Sequence, residues 1–422
     1  MFRWYQEGTP KERKTFWACY SGWALDSYDV QIFSFLLPTL MGLWALTKAE
    51  VGMIGTAALL SAAAGGWIAG IISDRIGRVR VLVFTVIWFT AWGIVAGFAQ
   101  NYWQLMAARV MQGFGFGGEW AVGAALIGEV INPKHRGKAM GFVQSAFSLG
   151  WLGSAITAIT ILAIFEPDLA WRMTFWLSAI PAALIFWVRR GLDESTAYKK
   201  AAERPHDKAS FATVFKPQYI KFTTLGALLV FGMQASSYVV LIWLPTLLVE
   251  RGLQKGSQLL TIFVMATGTF CGFVLTAYLS DRWGRKATLL FMSVASWILT
   301  VTYMLVPLTP ALSHILSFFV GAGVIGMFAA IGPFLSELFP TEVRTTCMGF
   351  SYNLGKTAAA FCITGVGLLA VPMGLAPAIA VFCFVAYALA CLALLLLPET
   401  KGRDLTAISL DLPDGAQRAP AT

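Results

Sequence analysis

Five ionisable side chains, Asp26, Asp29, Arg109, Glu119 and Lys356, stand inside long apolar runs of a 422-residue chain. A charge at bilayer depth is costly, and where one is kept it usually marks a path for ions, protons or polar solutes. Asp26 and Asp29 are three residues apart and share one helix face. Arg109, Gln112, Phe116 and Glu119 fall within about 80° of one another at 100° per residue, which draws a polar stripe along a second helix. Carboxylates caught between burial, which favours the neutral form, and a neighbouring cation, which favours the ionised form, can load and release protons. Arginine keeps its proton and acts as a fixed partner. Three acids against two bases leave one negative charge, so the empty site reaches neutrality with about one bound proton and a monoanionic carboxylate calls for one more. The chemistry this suggests is proton-linked binding of an organic anion. Lys356 is the expected carboxylate partner, Asp29 or Glu119 the proton carrier, and Asp26 and Arg109 members of the coupling group. Two other readings stay open: Asp26 and Asp29 as a fixed structural pair with Arg109, and Glu119 as a mere counter-charge to it. Gln112, Gln234, Tyr352 and Asn353 complete the set of expected substrate contacts.

The elements that position these residues follow from composition. Hydrophobic residues make up 57% and charged residues 13% of the chain, against ~45–50% and ~25% in soluble domains. Lipid must be the solvent for much of it. Twelve apolar segments of membrane-spanning length can be marked, at 16–43, 51–72, 79–99, 103–131, 137–164, 171–188, 222–248, 258–279, 287–305, 312–338, 346–370 and 375–397. Backbone groups in hydrocarbon must be satisfied within the segment, so these are helices. The first run carries Asp26 and Asp29, which argues against a signal peptide. Of the 31 lysines and arginines, Arg109 and Lys356 lie inside spans, Lys48, Arg172, Arg251 and Lys255 fall on one side, and all others on the opposite side. The positive-inside rule makes that crowded side, and both termini, cytoplasmic. The formal charge of +9 therefore reports topology, not nucleic-acid binding.

Other signals exclude chemistry. The six cysteines form no CxxC pair, so neither a disulfide framework nor a zinc site is expected. The histidines are isolated, and no phosphate-binding loop or nucleophile–base pair is present. No metal, no cofactor and no enzymatic activity are expected. Gly113-x-Gly115-x-x-Gly118 matches a dinucleotide fingerprint in letters only, since that motif needs a preceding strand and an exposed helix start. Inside a membrane helix these glycines, with Gly66 and Gly70, are read as close-packing positions.

The chain repeats itself at an offset of about 207 residues. Ser73-Asp74-Arg75-Ile76-Gly77-Arg78 returns as Ser280-Asp281-Arg282-Trp283-Gly284-Arg285, and Arg136, with Glu129 seven residues before it, returns as Arg344 with Glu337. The organisation read from this is a six-helix bundle at 1–190, a cytoplasmic linker at 191–221, a second pseudo-symmetric bundle at 222–398 and a disordered tail at 399–422. The duplicated charges, Asp74, Arg75, Arg78, Glu129, Arg136, Asp281, Arg282, Arg285, Glu337 and Arg344, form an expected cytoplasmic gate that latches the two halves in the outward-facing state.

The doubled D-R-x-G-R loop, together with Arg109-Val110-Met111-Gln112-Gly113, resembles the major facilitator superfamily. Leu25-Asp26-Ser27-Tyr28-Asp29, Gly117-Gly118-Glu119-Trp120 and Tyr352-Asn353-Leu354-Gly355-Lys356 are similar to the metabolite:proton symporter group, in particular its sialate/lactate and aromatic-acid branches. Lys356 departs from the arginine expected there. The resemblance implies an all-α membrane fold of twelve helices in two pseudo-symmetric bundles. It also implies alternating access around a midplane site, and Asp29 as the aspartate that pairs with Arg109. The expected function is proton-coupled import of a small organic carboxylate (lactate-like, aromatic or sialate-like) by a monomer in a bacterial inner membrane, with no nucleic-acid partner. The alternatives are a carrier of zwitterionic osmolytes or sugars and a membrane sensor that does not transport.

Overall fold

The computed structural model describes residues 3–131, 136–183, 214–307, 309–340 and 343–401. The described residues contain helices and no strand. A short α1 (Arg3–Glu7) precedes α2 (Pro10–Trp44), α3 (Lys48–Ile76), α4 (Arg78–Ala96), α5 (Tyr102–Val130), α6 (Arg136–Ile164) and α7 (Pro167–Leu177). Residues 179–183 continue helically after a turn at Ser178. The second half holds α8 (Pro217–Glu250), α9 (Lys255–Trp283), α10 (Arg285–Leu305), α11 (Pro310–Val324), α12 (Phe328–Leu338), α13 (Arg344–Met373) and α14 (Leu375–Leu396). Each apolar segment read from the sequence contains helix; the tenth is split into α11 and α12. Among the described residues, nine helical segments are long and apolar enough to cross a membrane. The 35-residue α2 and 29-residue α5 are not among them, and these carry Asp26, Asp29 and Arg109.

Local sequence fixes the helix ends. Thr9 and Thr47 each accept from the backbone N–H three residues on, while Glu12 and Glu50 reach back to the threonine N–H at 2.8 Å. These capping boxes satisfy orphan donors and carry α2 and α3 beyond their apolar stretches. The repeated loop motif has a conformational reason. Gly77 at φ 110° and Gly284 at φ 113° each end one helix and start the next. Only glycine enters that region without strain, so the tight α3–α4 and α9–α10 turns require it.

Packing repeats with the sequence. A Cβ on Gly65 would stand 1.9 Å from the carbonyl oxygen of Phe114, and one on Gly272 would stand 2.2 Å from that of Ala322. Thus α3 meets α5, and α9 meets α11, through backbone contact at positions about 207 residues apart. Gly113 of the fingerprint-like motif and the neighbouring Gly117 serve the same packing against Ala58 and Ala62, while Gly115 of the motif packs on Trp88 of α4. Gly70 has nothing close to its Cβ position and is not part of it. Gly65→Leu must therefore push the two helices apart. Its expected result is loss of folded protein in detergent, measured by size-exclusion profile, whereas Gly70→Leu leaves the profile intact.

Two boundary expectations change. α8 begins at Pro217, within the segment read as linker, because proline suits a first helical position; residues 184–213 lie outside the described residues. The start of the expected disordered tail is tied down. Glu399 accepts backbone N–H donors from Arg285, Lys286, Thr400 and Lys401, and Thr400 donates to Glu337 at 2.8 Å. Burial alone would raise the Glu399 carboxyl, but these donors hold it below the ordinary carboxylate value. A depressed carboxyl contributes stability that is present above its unfolded value and is lost as pH falls through the folded one. Glu399→Gln is expected to lower Tm at pH 7, with the difference from wild type shrinking below about pH 4; thermal unfolding at both pH values checks it.

Candidate functional site

A cavity of about 30 Å³ lies between the two groups of helices. Asp26, Asp29, Gln31 and Phe33 of α2, Ala58 of α3, Phe89 of α4, and Arg109, Gln112 and Phe116 of α5 line one side, and Tyr238 and Ile242 of α8 the other. Helical spacing brings these residues together: 26 and 29 share a face of α2 while 109, 112 and 116 share a face of α5. Asp26, Asp29 and Arg109 are 1%, 3% and 5% exposed.

Arg109 does not form the expected carboxylate pair with Asp29. Its Nη1 donates to the Gln112 side-chain oxygen and reaches the main-chain carbonyl of Asp29 at 3.5 Å. Its guanidinium carbon lies 4.7 Å from the Phe33 ring centre and 6.0 Å from that of Phe175. The Asp29 oxygens and Arg109 Nε make no hydrogen bond. A guanidinium stacked on rings and bound to neutral oxygens is satisfied in part without a counter-ion, which leaves the acid beside it able to change state.

Lys356 reaches this region from α13. Its Nζ stands 5.4 Å from the centre of the Phe116 ring, across the interface between halves, and Asp26 acts on it electrostatically. Among the described residues it has no ion pair within 4.0 Å. Gln234 Nε2 donates to the Tyr352 hydroxyl at 2.9 Å, so these two expected substrate contacts hold one another beside Tyr238. Asn353 donates to Gly349 of its own helix at 2.9 Å. Tyr238, which the sequence offers beside Gln234 as a group able to contact an organic acid, lines the cavity, and so do Gln31 and Phe33, which had not been singled out. The signal for Gln31 was an amide inside an apolar run, but the aromatic rings carry no such mark in sequence. The side chain of Glu119 lies outside the described residues.

The duplicated charges whose side chains are described do not line the cavity. Arg285 pairs with Glu337 at 3.2 Å and with Asp281 at 3.0 Å, and all three lie in the second half. Among the described residues this cluster ties α9, α10, α12 and residues 399–400 together. Arg78 donates to Ser73 at 2.7 Å, Arg344 to the Phe339 carbonyl at 3.3 Å, and Arg282 to the Tyr278 hydroxyl at 3.5 Å. The side chains of Asp74, Arg75, Glu129 and Arg136 lie outside the described residues. No cluster of metal-ligating side chains occurs among the described residues.

Several polar contacts among the described residues join the halves. Lys48 meets Glu250 at 2.6 Å, Lys255 donates to the Leu162 carbonyl, and Thr56 meets Ala360 and Thr364 at 2.8 Å. An exposed ion pair supplies ~0.2–1 kcal/mol, enough to shift a two-state equilibrium up to about fivefold. Glu250→Lys is expected to raise labelling of a cysteine placed at Thr56 by an impermeant maleimide, and adding Lys48→Glu to restore the original rate. Failure of the double reversal to restore it would remove the pair from the closure.

A bundle of membrane-length helices with a charged cavity where its two halves meet defines a polytopic membrane carrier. The chain belongs to the Major Facilitator Superfamily, whose model matches residues 20–363. It is 56% identical to a probable 4-methylmuconolactone transporter of Cupriavidus pinatubonensis, over 95% of this chain and 94% of that protein. It is 26% identical to the cis,cis-muconate transport protein of Acinetobacter baylyi, over 82% and 84% of the two chains. Its fold is similar to that of the xylose transporter of Escherichia coli in an inward open conformation, with TM-score 0.76, 19% identity, and 93% and 98% of the chains covered. The family is the one its loop motifs resemble, the architecture is the twelve-helix fold, and the chain is a transporter rather than an enzyme.

Proposed function

We propose that this transporter is a proton symporter that imports a small organic carboxylate across a bacterial inner membrane, with both termini in the cytoplasm. The observation that carries the reading is the uncompensated pairing in the cavity. Lys356 stands over Phe116 with no ion pair to a described carboxylate, while the Asp29 oxygens opposite make no hydrogen bond. A substrate carboxylate supplies the counter-charge for Lys356, and a proton carried on Asp29 keeps that buried acid neutral, so the two enter together. Phe33, Phe89, Phe116 and Tyr238 offer ring faces and apolar surface to the rest of the solute. The 56%-identical relative named for 4-methylmuconolactone supports a monocarboxylate with a compact unsaturated ring, which fits one lysine and aromatic walls. Xylose carries no charge and leaves Lys356 unsatisfied.

The test is saturable uptake of labelled muconolactone-type acids, muconate, benzoate and sialate into proteoliposomes, with xylose and a betaine as competitors. One or more acids are expected to be taken up and to compete with one another, with the neutral and zwitterionic solutes without effect. Uptake of only a neutral or zwitterionic solute overturns the carboxylate assignment.

A further inference from the structure

We infer that Gln112 is a positioning residue for proton coupling: its neutral side-chain amide is the resting place of the Arg109 guanidinium while Asp29 is protonated. The inference rests on the symport reading above and goes beyond it by giving Gln112 a task other than substrate contact.

The geometry has four parts. Gln112 lies one turn along α5 from Arg109 and accepts from its Nη1. The guanidinium carbon lies over the rings of Phe33 and Phe175. Both Asp29 carboxyl oxygens and Arg109 Nε lack hydrogen bonds although the residues are buried. A Cβ on Gly93 of α4 would stand 2.9 Å from Gln112 Nε2, so the glycine leaves the room in which the amide lies with its oxygen toward Arg109. An ionised carboxylate is about twice as strong an acceptor as a neutral amide and is not kept buried without a partner. Arg109 resting on the amide with the Asp29 oxygens unbonded is therefore the arrangement of a protonated Asp29. The other titratable groups brought to the cavity are Asp26 on α2, Tyr238 on α8 and, at its edge, Lys356 on α13. The Ser178 hydroxyl and the Arg109 guanidinium both act on the Asp29 carboxyl, and α3 and α4 add no charged side chain to the lining.

The cycle balances. One proton adds to the Asp29 carboxylate from one side of the membrane and Arg109 moves onto Gln112. On the other side that proton leaves, and the carboxylate recaptures Arg109. The acceptor at 112 must be present and must be weak. Leucine leaves Arg109 bound to Asp29, and glutamate holds Arg109 permanently.

Gln112→Leu, Gln112→Glu and Gly93→Ala are to be compared with wild type in proteoliposomes for gradient-driven accumulation and for substrate counterflow, with thermal unfolding of each purified protein. Both Gln112 variants are expected to lose accumulation about tenfold more than counterflow, a coupling loss in the usual range, and Gly93→Ala, which displaces the amide, to lie between them and wild type. Accumulation by Gln112→Glu equal to wild type overturns the inference, because only the neutrality of the amide distinguishes it from packing. So does an equal fall of accumulation and counterflow in the Gln112 variants. If those do not fold, Gly93→Ala decides by the same ratio. Wild type that exchanges substrate but does not accumulate it on a gradient overturns the symport reading itself.

Discussion

Replacing Lys356 with alanine is expected to raise the KM for the transported acid at least about tenfold, while Lys356→Arg retains most of the affinity. The lysine, at the cavity's edge, makes no ion pair with a described side chain and is held over Phe116 at 5.4 Å. A hydrogen bond to a charged group is worth ~1.5–3 kcal/mol, and ~1.4 kcal/mol is a factor of ten. Arginine keeps the charge but offers a planar fork where lysine offers a compact ammonium, so a modest change in selectivity among acids accompanies it. The check is concentration-dependent uptake by the two variants. An unchanged KM in Lys356→Ala assigns the substrate carboxylate to another group, and Arg109 would be the remaining cation lining the cavity.

Asp29→Asn is expected to abolish accumulation against a gradient and to leave counterflow running. The carboxamide imitates the protonated acid and cannot release a proton, so both orientations of the carrier exist but no proton crosses. A gradient of about one pH unit supplies ~1.4 kcal/mol per proton, or about tenfold accumulation at one proton per solute. The variant's internal-to-external ratio is expected to fall from that value to unity. Retained accumulation moves the proton to Asp26 or Glu119. Loss of counterflow as well makes Asp29 a structural partner of Arg109.

Sequence exposed much of this design because the membrane makes its constraints local. Apolar length marks each span, and the 3.6-residue period places Asp26 with Asp29 and Arg109 with Gln112 on single helix faces. The positive φ of Gly77 and Gly284 is the physical content of the repeated loop motif. Helix ends reached further than the apolar runs, since Thr9 with Glu12 and Thr47 with Glu50 build polar first turns. What stayed hidden depends on side-chain direction across helices. Charge complementarity alone joins Arg109 to the Asp29 carboxylate, whereas Phe33, Phe175 and Gln112 hold it elsewhere. Nor does the motif's spacing show that Arg285 pairs with Glu337 and Asp281 of its own half. Contacts such as Lys48 with Glu250 and Thr56 with Ala360 join the halves, through ordinary residues whose pairing only the tertiary structure reveals.

The site joins a lysine awaiting an anion to an acid–arginine pair held apart by an amide, and its function depends on filling both together. The most direct test is the number of protons that enter with each molecule of acid. Substrate uptake and internal acidification would be recorded together in proteoliposomes, with the membrane potential clamped. The cavity's charge balance predicts about one proton per monocarboxylate, an electroneutral movement driven by a pH gradient and indifferent to voltage. Uptake of the acid with no accompanying proton would contradict it.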